Sequence, residues 1–398
     1  MGLPDLLSLC RQTGQNRVGG KVSALYAFCC YVKHEVIEIG LRQRHEKSGR
    51  ERSRRMLRLE SRKINLTNPV RARVARNATE IADGESSVTW EPLVYWNDRI
   101  VPVSQAQIAI WDAGIVQGAT VTEMTRTFHK QPFRLGDHLD RLFRAIDRTG
   151  MDIALSKEEL TAISLELLAH NGRLVEDAAE LGLVHFVTAG EYAVYAFGRP
   201  PRTAPTVCVH TFPLPFARWA DKMQKGTRLL TPSVRQVPPQ CWDPGMKCRS
   251  RMHYYLAEKE VHHTDPDASA LLLDLAGNVT ETNTGNFLMV KGGVLISPTL
   301  ANTLPGISRA TVIELAGELG IRFAECDIPV ADAQSADEAF LSSTSYCLMP
   351  VTKINDAAIG EGRPGPVYRR LITAWSRRVG LDIERQILDG SLASRKPC

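Results

Sequence analysis

Strand-like and helix-like segments follow one another from Glu91 onward, without a strict strand–helix–strand alternation. Residues 120–128 alternate in polarity and are β-branched at several positions, which predicts a strand. The apolar positions of residues 137–146 recur at helical spacing, which predicts a helix. Because both patterns occur in both halves of the chain, we predict a mixed α/β (α+β) fold.

A proline-rich segment interrupts this pattern once. Residues 199–205 contain three prolines in six positions, and proline cannot continue a helix or a central strand. We therefore predict a small α/β domain at residues 91–199, a linker at residues 200–206 and a large α/β domain at residues 207–390. A chain of 398 residues is long enough for two such domains.

The first 90 residues have a different character. Residues 1–80 hold 17 Lys and Arg against 7 Asp and Glu, so the rest of the chain is mildly acidic. Residues 43–63 contain few apolar positions, which is typical of a solvated helix or a disordered tail. We predict a basic, poorly ordered N-terminal extension over residues 1–90. A basic tail can bind nucleic acid or acidic lipid, but no interleaved aromatic residues support that function here.

The cysteine count and the apolar runs bear on the compartment. Nine cysteines are too sparse for a disulfide scaffold, and the adjacent pair Cys29 and Cys30 fits no metal motif. We expect reduced thiols, no metal site and a cytoplasmic location. No stretch approaches the roughly 18 apolar residues of a spanning helix, so no membrane partner is expected. The apolar run at residues 22–32 lacks a small-residue cleavage site, so we expect no working signal peptide.

Two segments have the pattern of an anion site. Residues 306–308 (Gly-Ile-Ser) open a predicted helix, and the free amide groups of a helix start can bind phosphate. Residues 341–345 run from a strand into four consecutive hydroxyl residues, which can hold an anion as well. Taken singly, each segment is better explained as a capped helix or a polar turn.

Two charged residues are candidates for chemistry. Lys247 precedes a predicted helix, and it becomes a nucleophile only if it is desolvated or flanked by cations such as Arg249 and Arg251. Glu281 leaves a strand, where its carboxylate could face a protonated ring nitrogen or simply belong to a hairpin turn.

Taken in chain order, these segments resemble the fold-type IV pyridoxal-phosphate enzymes, the class-IV aminotransferases. That family includes branched-chain and D-amino-acid aminotransferases and aminodeoxychorismate lyase. The resemblance covers residues 94–374 and rests on residues 136–142, 274–298, 304–309, 336–341 and 359–366. It implies the two-domain fold-type IV architecture, a pyridoxal 5'-phosphate cofactor, and a homodimer with the active site between the domains. The N-terminal extension has no counterpart in it.

The resemblance also implies roles for single residues. Lys247 matches the catalytic lysine that holds the cofactor as a Schiff base and moves the α-proton. Glu281 matches the acid that faces the pyridine nitrogen, and Leu304 matches a residue that packs against the ring. The phosphate-binding positions are matched by Arg141, Ile307, Ser308 and Thr344.

The substrate positions depart from the family. Gln117 and Thr122 stand where branched-chain enzymes usually have aromatic residues, and Met252 stands where they usually have a tyrosine. Val194 and Ala196 stand where a D-amino-acid enzyme places its carboxylate-binding Arg and His. We take Thr122, Met252 and Ser345 as candidate substrate contacts. A substitute carboxylate clamp could come from Arg235, Arg249 or Arg251.

The predicted function is a transaminase that moves an amino group between an amino acid and a 2-oxo acid such as 2-oxoglutarate. The branched-chain type is favoured because residues 304–309 and 360–366 look most like that subfamily. Three alternatives stay open. They are a lyase similar to aminodeoxychorismate lyase, a D-amino-acid aminotransferase, and a cofactor-binding protein with weakened catalysis.

Overall fold

The computed structural model describes residues 91–393. The predicted extension at residues 1–90 lies outside the described residues. Within the range, all five cysteines are unpaired, and no group of His, Cys, Asp and Glu could hold a metal ion. No helix in this part of the chain is long and apolar enough to cross a membrane.

Fifteen strands and nine α-helices make up the described chain. The strands are β1 (Leu93–Trp96), β2 (Arg99–Pro102), β3 (Thr120–Phe128), β4 (Gln131–Pro132), β5 (Leu181–Thr188), β6 (Thr206–Pro213), β7 (Thr227–Leu230), β8 (Ser269–Leu273), β9 (Val279–Thr282), β10 (Asn286–Lys291), β11 (Val294–Ser297), β12 (Arg322–Glu325), β13 (Glu338–Ser343), β14 (Cys347–Ile354) and β15 (Ala357–Ala358). The helices are α1 (Ala113–Val116), α2 (Leu135–Thr149), α3 (Lys157–Asn171), α4 (Ala220–Lys225), α5 (Met252–Thr264), α6 (Ile307–Glu318), α7 (Val330–Gln334), α8 (Pro366–Val379) and α9 (Ile383–Ala393).

The first sheet has six antiparallel strands in the order β2-β1-β6-β5-β3-β4. Helices α2 and α3 pack on one face of it. Leu139 and Leu142 of α2 are buried there against Val121 of β3 and Leu183 of β5. This packing directs one side of α2 toward β3.

The second sheet has nine strands and mixes parallel with antiparallel pairs. Its order is β12-β11-β10-β13-β14-β7-β8-β9, with β15 paired to β14. A further pairing of β9 with β10, at Glu281 and Asn286, closes six of these strands into a ring. Helices α6 and α8 cover this sheet and bury a large apolar core. The predicted mixed α/β class is confirmed by the two sheets and their covering helices.

The proline-rich segment lies elsewhere in the topology than we predicted. The strand that follows it, β6, pairs along its whole length with β5 and so belongs to the first sheet. The chain passes to the second sheet only between Pro213 and Thr227, where α4 lies. Residues 200–206 therefore do not separate the two sheets, because prolines end one element without determining which strand the next one joins. The division into two domains itself stays a prediction.

Residues 182–197 are largely apolar, a pattern that would suit two strands, but the structure has one strand in this stretch. Only β5 forms, and a short 3-10 turn at Ala193–Tyr195 follows it. Val194 is 75% exposed and Phe197 is 98% exposed, so these two side chains beyond β5 do not pack into the described core. A run of apolar residues alone did not distinguish a buried strand from an exposed loop.

Candidate active site

A cavity of about 230 Å³ lies where several loops of the second sheet meet α2 and β3. Its walls bring together eight of the ten residues predicted as site residues. These are Arg141, Lys247, Glu281, Leu304, Ile307, Ser308, Thr344 and Ser345.

Two predicted substrate contacts do not line this cavity. Thr122 is buried, and its hydroxyl donates to the carbonyl oxygen of His185 on the neighbouring strand at 2.8 Å. Met252 begins α5 and is 67% exposed. Both substrate contacts therefore stay predictions, since neither side chain is part of the described cavity wall.

The guanidinium of Arg141 is oriented by a buried carboxylate. Its Nε and Nη2 each donate to Glu123 of β3 at 2.7 Å, and His138 Nδ1 lies 3.0 Å from the same carboxylate. Burial alone would raise the pKa of Glu123, but the charges and hydrogen bonds of Arg141 and His138 hold it well below its usual range. The bidentate contact fixes the orientation of the guanidinium. Glu123 and His138 were not predicted from the sequence, although His138 lies one helical turn before Arg141 on the same face.

The start of α6 lies beside this guanidinium. Arg141 Nη1 donates to the carbonyl oxygen of Pro305 at 2.8 Å, one residue before Gly306 caps the helix. No side chain caps the helix start, so its first amide groups are free to bind an anion at Ile307 and Ser308. The helix dipole adds a partial positive charge at this end.

A second hydroxyl-bearing turn faces the same region. Ser343, Thr344 and Ser345 connect β13 to β14 and line the cavity. The hydroxyl oxygens of Ser343 and Ser345 lie 3.2 Å apart. Together with Arg141 and the start of α6, these hydroxyls give one end of the cavity an anion-binding character.

Glu281 marks the other end, and four donors surround it. Its Oε1 accepts from Tyr254 Oη at 2.8 Å and from Gln236 Nε2 at 3.1 Å. Its Oε2 accepts from Asn286 Nδ2 at 3.0 Å and from the Leu304 amide at 3.2 Å. Burial raises the pKa of Glu281, although the hydrogen bonds and the nearby charges of Lys247 and Arg251 oppose that rise.

Three of these donors were not predicted: Gln236, Tyr254 and Asn286. They come from the segment before Lys247, from α5 and from β10, so no local motif connects them with Glu281. The segment at Leu304 and Pro305 joins the two ends of the cavity. The amide of Leu304 donates to Glu281, and the carbonyl oxygen of Pro305 accepts from Arg141.

Lys247 lies between these two ends. Its carbonyl oxygen accepts from the Thr122 amide at 2.9 Å, which ties the lysine segment to β3. Burial, together with the charges of Arg251 and Arg141, lowers the pKa of Lys247 to about 8, and the carboxylates of Glu123 and Glu281 oppose this shift. Arg251 thus has the predicted effect of a flanking cation. The guanidinium of Arg249 instead stacks over Phe186, 4.4 Å from the ring centroid.

The lowered pKa of Lys247 leads to a measurable pH dependence. In cofactor-free protein, acylation of Lys247 by an amine-reactive reagent should reach half its maximal rate near pH 8, because only the neutral amine reacts. The exposed Lys259 on α5 is labelled in the same samples and serves as the internal control. Peptide mass spectrometry over a pH series measures both rates. Identical profiles for the two lysines would contradict the desolvation of Lys247.

The chemistry of this donor set fits pyridoxal phosphate. One end offers a guanidinium, hydroxyls and helix amides for a phosphate, and the other end offers a carboxylate for a basic ring nitrogen. A lysine with a lowered pKa lies between them. Among the described residues, Lys247 is also the one lysine that lines the cavity.

Gly306 is required by a close approach of the backbone. A Cβ at this position would lie 2.0 Å from Asn286 Oδ1, closer than any real contact, so Gly306→Ala must displace Asn286. Asn286 donates to both Glu281 and the Leu304 carbonyl oxygen. Losing these two bonds should weaken cofactor binding by about tenfold.

Absorbance titration with pyridoxal phosphate measures that loss. The matched control is Gly317→Ala in the last turn of the same helix, where a Cβ meets nothing within 4 Å. That variant should bind cofactor normally and gain about 0.5–1 kcal/mol of stability. Unchanged cofactor affinity in Gly306→Ala would show that the Asn286 contact has no part in binding.

The comparisons with known proteins agree with this reading of the site. The family model for amino-transferase class IV matches residues 120–354. A Methanocaldococcus jannaschii protein named as a branched-chain-amino-acid aminotransferase is 33% identical over 70% of this chain and 93% of its own length. The D-alanine aminotransferase of Bacillus licheniformis is 28% identical over 72% of this chain and 96% of its own length. A crystal structure of the T.th. branched-chain amino acid aminotransferase with pyridoxamine 5'-phosphate superposes with a TM-score of 0.65. It has 26% identity and covers 75% of this chain and 97% of that one.

Proposed function

Because the chain belongs to the class-IV aminotransferase family and is thus a pyridoxal-phosphate-dependent aminotransferase, we propose that it transfers the amino group of a branched-chain amino acid to 2-oxoglutarate. Its fold is the fold-type IV architecture of that family. The choice of amino donor and acceptor is the proposed part.

One observation supports an apolar amino donor. The wall of the cavity next to Lys247 is formed by the apolar side chains of Val237, Trp242, Pro244 and Met246. These residues belong to the segment between β7 and α5 that also carries the lysine. An aliphatic side chain would bury its surface against this wall, which favours a branched-chain amino acid over a polar one.

The residues that would hold the cofactor follow from the donor set. We assign its phosphate to Arg141, Ser308, Thr344 and the amide groups at the start of α6, beginning with Ile307. When bound, pyridoxal phosphate supplies a conjugated ring that accepts the electrons left by a departing α-proton. Leu304 lines the cavity between the two ends and would pack against the ring.

Lys247 and Glu281 have the acid–base roles. The Nζ of Lys247 can take up and return a proton near neutral pH, because its pKa is lowered to about 8. The carboxylate of Glu281 would hold a proton at the ring nitrogen by its negative charge, since an opposite charge favours the protonated form. The four donors around Glu281 keep the carboxylate aimed in one direction.

A second candidate function is a D-amino-acid aminotransferase. The similarity to the D-alanine aminotransferase of Bacillus licheniformis favours it. Against it, the positions expected to hold a carboxylate-binding Arg and His carry Val194, which is exposed, and Ala196, which is buried. The configuration of the amino donor is therefore a question for experiment.

A donor panel tests the proposal. The purified full-length chain with pyridoxal phosphate is incubated with 2-oxoglutarate and the L- and D-forms of Leu, Ile, Val and Ala, and glutamate is measured. We expect the L-forms of the branched-chain amino acids to react, with one 2-oxoglutarate consumed for each amino acid consumed. Turnover of D-forms only would favour the second candidate.

The same panel addresses the two other readings. Substrate consumption with an unchanged 2-oxoglutarate pool would favour a lyase. Cofactor binding without turnover of any amino acid would favour a protein with weakened catalysis. The homodimer and the cytoplasmic location remain predictions from the sequence.

A further inference from the structure

Three arginines were candidates for a carboxylate clamp, and one of them lines the cavity. Arg251 forms part of the cavity wall, four residues after Lys247. Arg249 lies outside that wall, with its guanidinium over Phe186. Arg235 is also outside it, and its Nη1 lies 3.4 Å from the carbonyl oxygen of Pro232.

The charge of Arg251 has no counter-ion among the described residues. The other guanidinium in the cavity wall, Arg141, has a counter-ion in Glu123, which it contacts with two nitrogens. Glu281 is occupied by four hydrogen-bond donors. No carboxylate of residues 91–393 lies within ion-pair distance of Arg251.

Neutral contacts hold Arg251 in place. Its Nη2 donates to both the carbonyl and the side-chain oxygen of Asn283, which lies in the turn between β9 and β10. Its guanidinium also lies 5.0 Å from the ring centroid of Tyr254. These contacts orient the group without cancelling its charge. A partly buried charge without a counter-ion is unfavourable, so the site is suited to bind an anion.

We infer that Arg251 binds the carboxylate of the amino-acid and 2-oxo-acid substrates, an inference that rests on the proposed function. Nη2 is engaged with Asn283, which leaves the N–H groups of Nε and Nη1 to donate to a carboxylate. Arg251 shares the cavity with Lys247, close enough to help lower the pKa of that lysine. The apolar wall of the same cavity is available to the substrate side chain. Arg251 is thus a substrate-binding residue that recognises the carboxylate of the substrate.

The competing explanation is purely structural. Arg251 could serve only to hold the Asn283 turn next to α5. In that case its loss would disturb the turn and lower affinity for all ligands alike. The two explanations differ in whether the loss depends on the negative charge of the ligand.

Paired ligands of the same shape separate them. Binding of 4-methylpentanoate and of its uncharged analogue 4-methylpentanamide is measured by calorimetry on the cofactor-loaded protein. Wild type should bind the acid about 10- to 100-fold more tightly than the amide, the range expected for hydrogen bonds to a charged group. Arg251→Gln should remove most of that difference by weakening binding of the acid alone. Arg249→Gln, the matched control outside the cavity, should leave the difference unchanged.

Glutarate distinguishes the two carboxylates that a substrate can offer. If Arg251 binds the carboxylate shared by all substrates, Arg251→Gln weakens the monocarboxylate and glutarate by similar factors. If it binds a second carboxylate, the loss appears with glutarate only, and the inference holds for the acceptor alone. A full preference for acid over amide in Arg251→Gln, with glutarate binding unchanged, would overturn the inference.

A conservative variant keeps the test decisive even if Arg251→Gln does not fold. Arg251→Lys keeps the positive charge and should retain part of the preference for the acid, because lysine lacks the planar fork. Melting temperature and cofactor absorbance are recorded for each variant. If Arg251→Gln does not fold, Arg251→Lys decides the question. A preference for the acid equal to that of wild type would count against binding by the planar guanidinium of Arg251. A reduced preference would support it. Failure of the proposed function is distinguishable, because it would appear as absent turnover in wild type with the donor panel.

Discussion

Lys247→Ala should abolish transamination and the covalent attachment of pyridoxal phosphate. Among the described residues no other lysine lines the cavity, so no neighbouring amine can replace Nζ. Burial and the adjacent cations lower the pKa of this amine to about 8, a property that an amine supplied from solution would not share. We expect turnover to fall by roughly 10⁴-fold or more, the scale on which removal of a catalytic nucleophile acts.

Absorbance and mass spectrometry check this result. Wild type should show a visible cofactor band, and borohydride reduction should attach the cofactor to the peptide that contains Lys247. Lys247→Ala should show neither, although Arg141 and the start of α6 can still bind the phosphate without a covalent bond. Lys259→Ala, on the exposed side of α5, is the control and should behave as wild type. A reducible adduct on another lysine of the Lys247→Ala variant would reject the assignment.

Glu281→Gln should reduce turnover by about 10²-fold or more, the scale on which a preorganised electrostatic interaction acts. The substitution keeps the size of the side chain and removes its charge. The four groups around Glu281 all donate, so the new amide must face at least one of them as a second donor. We therefore also expect a loss of about 1–3 kcal/mol of stability, as for a buried group left without a partner. Cofactor binding should persist, because Arg141, Ser308, Thr344 and Lys247 remain.

The structure argues against a mere turn-capping role for Glu281. The turn between β9 and β10 is held by Thr282 and Gly285, whose backbone groups and Thr282 hydroxyl bond each other at 3.0–3.1 Å. Turnover per bound cofactor and melting temperature, measured on one preparation, separate the two roles. Tyr254→Phe is the control, since it removes one donor and leaves the charge in place. Near-wild-type turnover in Glu281→Gln would remove Glu281 from the catalytic residues.

Several features of this protein could be predicted from the sequence because they are local. The helical spacing around Arg141 and the alternation in β3 indicated the mixed fold, since periodicity reports directly on helix and strand. The helix start at Gly306 and the hydroxyl turn at Thr344 are short segments whose own backbone groups form the anion site. The order of Arg141, Lys247 and Glu281 along the chain carried the family resemblance. Eight of the ten predicted residues consequently meet in one cavity.

The remaining features depended on contacts between residues far apart in the chain, and these only the tertiary structure decided. Glu123 pairs with Arg141 because α2 packs on β3, and Arg251 enters the cavity while Arg249 turns toward Phe186. The Thr122 side chain is not part of the cavity wall, and its hydroxyl bonds the strand beside it. The partner strand of β6 and the donors to Glu281 likewise come from strand pairing and helix packing. Periodicity and composition describe each element separately, and they do not contain the energies of packing between elements that determine these contacts.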